Sequence, residues 1–127
     1  YGERIIFSGY VSNVENYYRI MDVCVHASIE PEPFGLVITE AMSYGVPVIA
    51  SNQGAPKEII TNGINGYLVD PGNRDEFADL IVIVMSNAYD RKIIGNSARS
   101  YVLEKYDVSS YVEAMASIYE KILVQSS

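Results

Sequence analysis

The sequence predicts an α/β domain in which helices cover both faces of a parallel sheet of about four strands. Three observations predict it. Short Val- and Ile-rich runs alternate with segments of helical period. Glycine and proline punctuate the joins, at Gly45-Val46-Pro47, Asn62-Gly63 and Asp70-Pro71-Gly72. The chain has 127 residues, 49% of them hydrophobic, enough to bury one core. Strands that alternate with helices pair in parallel through right-handed crossovers.

The elements follow in order. Arg4 to Val11 is an apolar run containing Gly9 and reads as a first strand with its exit. Ser12-Asn13-Val14-Glu15 has capping-box spacing and predicts a short helix through about Met21. Asp22 to Ser28 reads as a second strand, followed by a Pro-rich loop, Glu30 to Phe34. A helix is expected over Gly35 to Tyr44, ended by Gly45. Val48 to Ala50 is a buried strand, and Ser51 to Pro56 a loop. Lys57 to Thr61 predicts a short helix, and Gly66 to Val69 a fourth strand.

Asn73 is placed to cap the next helix, with Glu76 at the box position and Phe77, Leu80, Ile81 and Val84 on one stripe. A further helix runs from about Asp90 to Lys105. The last begins near Ser109 or Ser110, with Val112, Met115, Ala116, Tyr119, Ile122 and Leu123 as its expected buried face.

Composition excludes several classes. The formal net charge is -7 and no basic stripe is present, so nucleic acid is not an expected partner. No polybasic segment points to membrane docking, and no apolar run has the length of a span. The single cysteine, Cys24, rules out an intrachain disulfide and fits a reducing, cytoplasmic setting. No His/Cys cluster supports a metal site. The chain begins without Met and within a strand pattern, so a longer parent protein is expected.

Open parallel sheets bind ligands outside the carboxyl ends of their strands. The loops Ser28 to Gly35 and Ser51 to Pro56, and the turn after Val11, are therefore where chemistry is sought. Glu32 and Glu40 stand there with seven residues between them. Between Glu32 and Lys57, Glu40 is the only charged residue. Its helical neighbours Leu36, Val37, Ser43 and Tyr44 cannot neutralise it. An inward carboxylate there needs hydrogen-bond donors, and two adjacent sugar hydroxyls would serve. The competing reading is a solvated helix glutamate.

The helix opening near Gly35 offers free amides and a positive dipole end to a phosphate, although every parallel α/β protein has such helix starts. His26, alternating with Cys24, reads as a packed core residue rather than a base, and the eleven tyrosines read as packing. Lys57 and Glu58 read equally well as a surface ion-pairing helix.

The stretch Glu32-Pro33-Phe34-Gly35-Leu36-Val37-Ile38-Thr39-Glu40-Ala41-Met42 resembles the E-x7-E signature of family-four glycosyltransferases. Gly45 to Ala50, Gly54 to Ile60, Asn62 to Val69 and Asp70-Pro71-Gly72 are similar to the segments that follow it in that family, as are Phe7 to Val11 and Asp22 to Val25. The resemblance covers nearly the whole chain. It implies the donor-binding, C-terminal Rossmann-like domain of a retaining, two-domain GT-B enzyme, without its acceptor domain.

The resemblance assigns Glu40 to the ribose hydroxyls of the donor and Glu32 to the transferred sugar. It places the backbone of Phe34, Gly35 and Leu36 against sugar and diphosphate, Thr39 near phosphates or ribose, and Gly9 near base or phosphates. It implies a nucleotide-diphosphate-sugar donor, a glycan or lipid-linked acceptor held by the other domain, and no metal cofactor.

Two departures matter. The family's basic pair for the diphosphate lies upstream of this chain, so the chain alone is expected to be catalytically silent. The family's Gly-Gly loop reads Gly54-Ala55 here. Competing readings are a starch- or sucrose-synthase-like enzyme, a nucleotide-sugar epimerase, and a non-catalytic nucleotide-sugar-binding module of the same fold. The pattern from Ser51 to Gly72 disfavours the epimerase.

Overall fold

The structure, a computed structural model, describes residues 4–125. Its elements are α1 (Glu15–Tyr18), β1 (Cys24–His26), α2 (Leu36–Ser43), β2 (Val48–Ser51), α3 (Pro56–Ile59), β3 (Tyr67–Val69), α4 (Arg74–Ser86), α5 (Ala88–Lys105) and α6 (Val108–Gln125). The strands pair in parallel in the order β1-β2-β3. Cys24, Val25 and His26 face Val48, Ile49 and Ala50, and Ile49, Ala50 and Ser51 face Tyr67, Leu68 and Val69.

Strand alternation builds three layers. All four residues of β2 are buried. Val48 and Ala50 turn to one face, against Ile38, Ala41 and Met42 of α2 and Ala98 and Val102 of α5. Ile49 turns to the other, with Val69 and with Phe77 and Val84 of α4. Each large aliphatic side chain fully buried here contributes about 1.5–3 kcal/mol.

The joins explain how α2 is held. Gly45 has φ 74°, its amide donates to Met42 and the Val46 amide donates to Ala41, which closes the helix in a Schellman turn. Behind it, α5 rests on this turn at Gly95, where a Cβ would overlap the Gly45 carbonyl oxygen. Asn73 caps α4 by accepting from the Glu76 amide, as expected. Arg91 donates to the carbonyls of Val84 and Met85 at the end of α4 and pairs with Asp22 at 3.2 Å. One guanidinium thus ties α4, α5 and the approach to β1 together.

Four expectations are corrected. The sheet has three strands, because Arg4 to Val11 forms none among the described residues. Ile5, Ile6 and Phe7 lie exposed there. The capping box is not formed: α1 starts at Glu15, with Val14 at its N-cap and no side-chain cap. Helix α5 starts earlier than Asp90, because Asn87 accepts from the amides of Tyr89 and Asp90. The apolar face of α6 is not buried, since Val112, Tyr119, Ile122 and Leu123 are all more than half exposed. Its spacing encodes an amphipathic helix but not what covers it.

Candidate functional site

The loops leaving β1 and β2 meet at the carboxyl edge of the sheet. Gly54 pairs with Glu32 as an isolated parallel bridge, and the Ala55 amide donates to the Glu32 carbonyl at 2.7 Å. The Gln53 side chain donates to the Ile29 carbonyl. Only glycine fits at position 54. Its φ is +71°, and a Cβ would lie 2.8 Å from the Glu32 nitrogen and overlap the carbonyl oxygen. The expected departure from Gly-Gly falls at Ala55, which sits at αR angles that an alanine adopts without strain.

Glu32 folds back onto its own loop. One carboxylate oxygen, Oε1, accepts from the amides of Gly35 at 3.0 Å and Phe34 at 3.3 Å. The other, Oε2, lies 3.5 Å from His26 Nε2. The Gly35 and Phe34 amides hold its carboxyl below the usual carboxylate range; desolvation opposes them and His26 adds to them.

His26 therefore belongs to the site and not simply to the core. It shares the inward face of Cys24, but as the last residue of β1 it reaches the sheet edge. Its Nδ1 is buried without a partner among the described residues. Being last in a strand that points at the ligand edge was the signal available for it in the sequence. Cys24, by contrast, is a buried thiol pushed up by burial, and it has no part in this edge.

Glu40 is not turned inward. Its side chain is exposed, on α2. No neighbour on its own helix neutralises it, as the sequence indicated. Its partner comes instead from α1: the Tyr18 hydroxyl donates to Glu40 Oε2 at 3.1 Å. Oε1 has no partner among the described residues. Tyr18 itself is 4% exposed, and burial and the neighbouring carboxylate push its phenol up to about 12.

The remaining expected residues divide. The amides of Phe34 and Gly35 are occupied by Glu32, whereas those of Leu36 and Val37 have no partner among the described residues. The open N-terminus of α2 is thus one step further along than the sequence suggested. Phe34 and Leu36 are well exposed beside it. A side chain at Gly35 would be strained, since its φ is +71° and an added Cβ would meet the Ile59 side chain of α3. The Thr39 hydroxyl shares its one proton between the carbonyls of Gly35 and Leu36, so it is turned back onto α2. Gly9 has φ 63° in an exposed segment, with open space around it.

Such an edge can bind an anion on helix amides and polyols on two carboxylates. From Glu30 to Asn73 its only cation is Lys57, exposed on α3. A separate hollow of about 500 Å³ between β3 and α4 is lined partly by Glu76 and Asp79, which disfavours an anionic ligand there. Among the described residues no helix is long and apolar enough to cross a membrane.

Comparison with known proteins adds to this geometry. Residues 1–101 match the family of group 1 glycosyl transferases. An uncharacterized glycosyltransferase of Methanocaldococcus jannaschii is 35% identical over 119 residues, which are 92% of this chain and 30% of that protein. The structure of Anabaena HepE in complex with UDP superposes with a TM-score of 0.92 at 30% identity, covering 94% of this chain and 33% of that one. The same protein is known with UDP-glucose, at a TM-score of 0.88. The C-terminal domain of a group 1 glycosyl transferase, LpcC of Francisella tularensis, superposes at 0.72 with 36% identity over 82% of this chain and 53% of that one. This chain spans about a third of the length of the first two proteins. With the match running over most of its length, and with a parallel sheet and flanking helices like theirs, the chain belongs to the group 1 glycosyl transferases.

Proposed function

We propose that this chain is the nucleotide-sugar-binding domain of a retaining glycosyltransferase. The intact protein would move a hexose from a nucleoside diphosphate to a glycan or lipid-linked acceptor, as in polysaccharide assembly on the cytoplasmic side. The observation that carries the reading is the anchored Glu32 carboxylate, clamped by two amides next to the open amides of Leu36 and Val37. The UDP and UDP-glucose complexes of HepE support a nucleotide sugar as the ligand.

In this reading the α2 amides face the diphosphate. A helix terminus of this kind contributes about 0.3–1 kcal/mol to an exposed anion, too little to offset the full charge of a leaving diphosphate. Lys57 and cations elsewhere in the intact protein supply the balance. Glu32, ionised and held still, orients the transferred sugar and favours its developing positive charge. Glu40 accepts from the ribose hydroxyls with its free Oε1. The acceptor is held outside this chain, and closure over the donor excludes water.

The test is a screen of the intact protein against common nucleotide sugars, with and without candidate acceptors. Release of nucleoside diphosphate and the anomeric configuration of the product are read by NMR. The expected result is turnover of one donor with retained configuration. Binding without turnover would assign the chain to a non-catalytic module, and neither binding nor turnover would sink the reading altogether.

A further inference from the structure

The Tyr18 contact carries a consequence for the site that its place in the sequence does not announce. Tyr18 lies 22 residues before Glu40, on the short helix α1. Its ring is stacked on Tyr44, with centroids 5.7 Å apart and planes 24° from parallel. The guanidinium of Arg19 lies 5.4 Å from the centre of the same Tyr44 ring. The Tyr18 ring is therefore held against the end of α2, and its hydroxyl donates to the Glu40 carboxylate.

An exposed glutamate on a helix ordinarily samples several rotamers, and a ligand that needs one of them must overcome that freedom. Here one oxygen is tethered and the other is left open. The phenol is a donor, never an acceptor, towards an ionised carboxylate, and it resists ionisation far above neutral pH.

We propose that Tyr18 is a positioning residue for nucleotide recognition: its hydroxyl fixes the Glu40 carboxylate so that Oε1 is presented to the ribose hydroxyls of the donor. This rests on the assignment of Glu40 to ribose made above. Tyr18 does not touch the ligand. It acts by selecting the rotamer of the group that does.

The experiment uses the intact protein and calorimetric binding of UDP, GDP and ADP, each beside its 2′-deoxy counterpart; the tightest pair carries the test. Tyr18→Phe removes the hydroxyl and keeps the stacked ring, and its melting temperature is recorded alongside. The wild type is expected to favour the ribose form by about tenfold, the scale of one charge-assisted hydrogen bond. In Tyr18→Phe that ratio should fall to about threefold, with the affinity for the deoxy form unchanged. Glu40→Gln should lower the ratio at least as far.

The outcomes separate the two claims. If Glu40→Gln keeps the wild-type ratio, or if no nucleotide binds, the assignment of Glu40 fails. If Glu40→Gln lowers the ratio and Tyr18→Phe does not, the role of Tyr18 is overturned while that assignment stands. Equal weakening of ribose and deoxy forms in Tyr18→Phe also overturns it, since a purely structural loss does not discriminate between sugars.

Discussion

The two glutamates of the site are held in opposite ways. Glu32 sits in a loop whose backbone is locked to Gly54 and Ala55, with one carboxylate oxygen held by two amides and the other 3.5 Å from His26. Glu40 stands exposed on a helix and is restrained at one oxygen by a side chain from a different element. A group next to reacting atoms must be placed closely, because a misplacement of about 1 Å can cost roughly a hundredfold in rate. A group that accepts from two hydroxyls can follow its ligand. Under the proposed assignment, the difference suits Glu32 to the chemical step and Glu40 to affinity.

The largest test of that contrast is Glu32→Ala, expected to lower kcat in the intact enzyme by about a hundredfold or more with little change in donor KM. Steady-state kinetics would break the contrast if KM rose instead and kcat held. Next comes Gly54→Ala, which places a methyl group against the Glu32 backbone at positive φ and should cost about 2–3 kcal/mol in denaturant unfolding. Gly63→Ala is its control: the φ is +74° but the space is open, so a cost of about 1 kcal/mol is expected. Equal losses would show that the lock between the loops adds nothing.

Glu40→Ala should weaken nucleotide binding about tenfold, close to 1.4 kcal/mol, and change kcat less than KM. A pure kcat effect would reverse the two roles. The smallest effect concerns pH. The carboxyl of Glu32 is held low in the folded chain, so its stabilisation is present above the unfolded carboxylate range and is lost as pH falls through the lower folded value. Melting temperatures of wild type and Glu32→Gln should therefore converge slightly from about pH 5 to about pH 3. A gap that widens on acidification would contradict the anchored carboxylate.

Much of the fold was legible because strand and helix periods are local. Val48 to Ala50 is continuous apolar sequence and forms the buried central strand, and Asn73 caps α4 through a partner three residues on. The N-terminal strand and the burial of α6 were misread for one reason. Periodicity reports which side of a segment is apolar, but the surface that would cover it lies elsewhere. In the site, the helical neighbours of Glu40 were read correctly as unable to neutralise it, yet its restraint came from Tyr18, a long-range contact that no spacing rule predicts. Tyr18 looked like packing, and its ring is packing; only the hydroxyl does more. The occupation of the Phe34 and Gly35 amides by Glu32 was hidden because a loop carboxylate can face either ligand or its own backbone.

The contact between Gly95 and Gly45 gives the rear of the domain a hold on its front. Helix α5 lies flush on the turn that ends α2, with no room for even one methyl group between them. A bulkier residue at position 95 would act as a shim, levering α2 forward by its far end. Glu40 and the open amides ride on that helix. A change well behind the ligand edge would therefore be read out as altered donor affinity, in an assay where every side chain at the edge is intact.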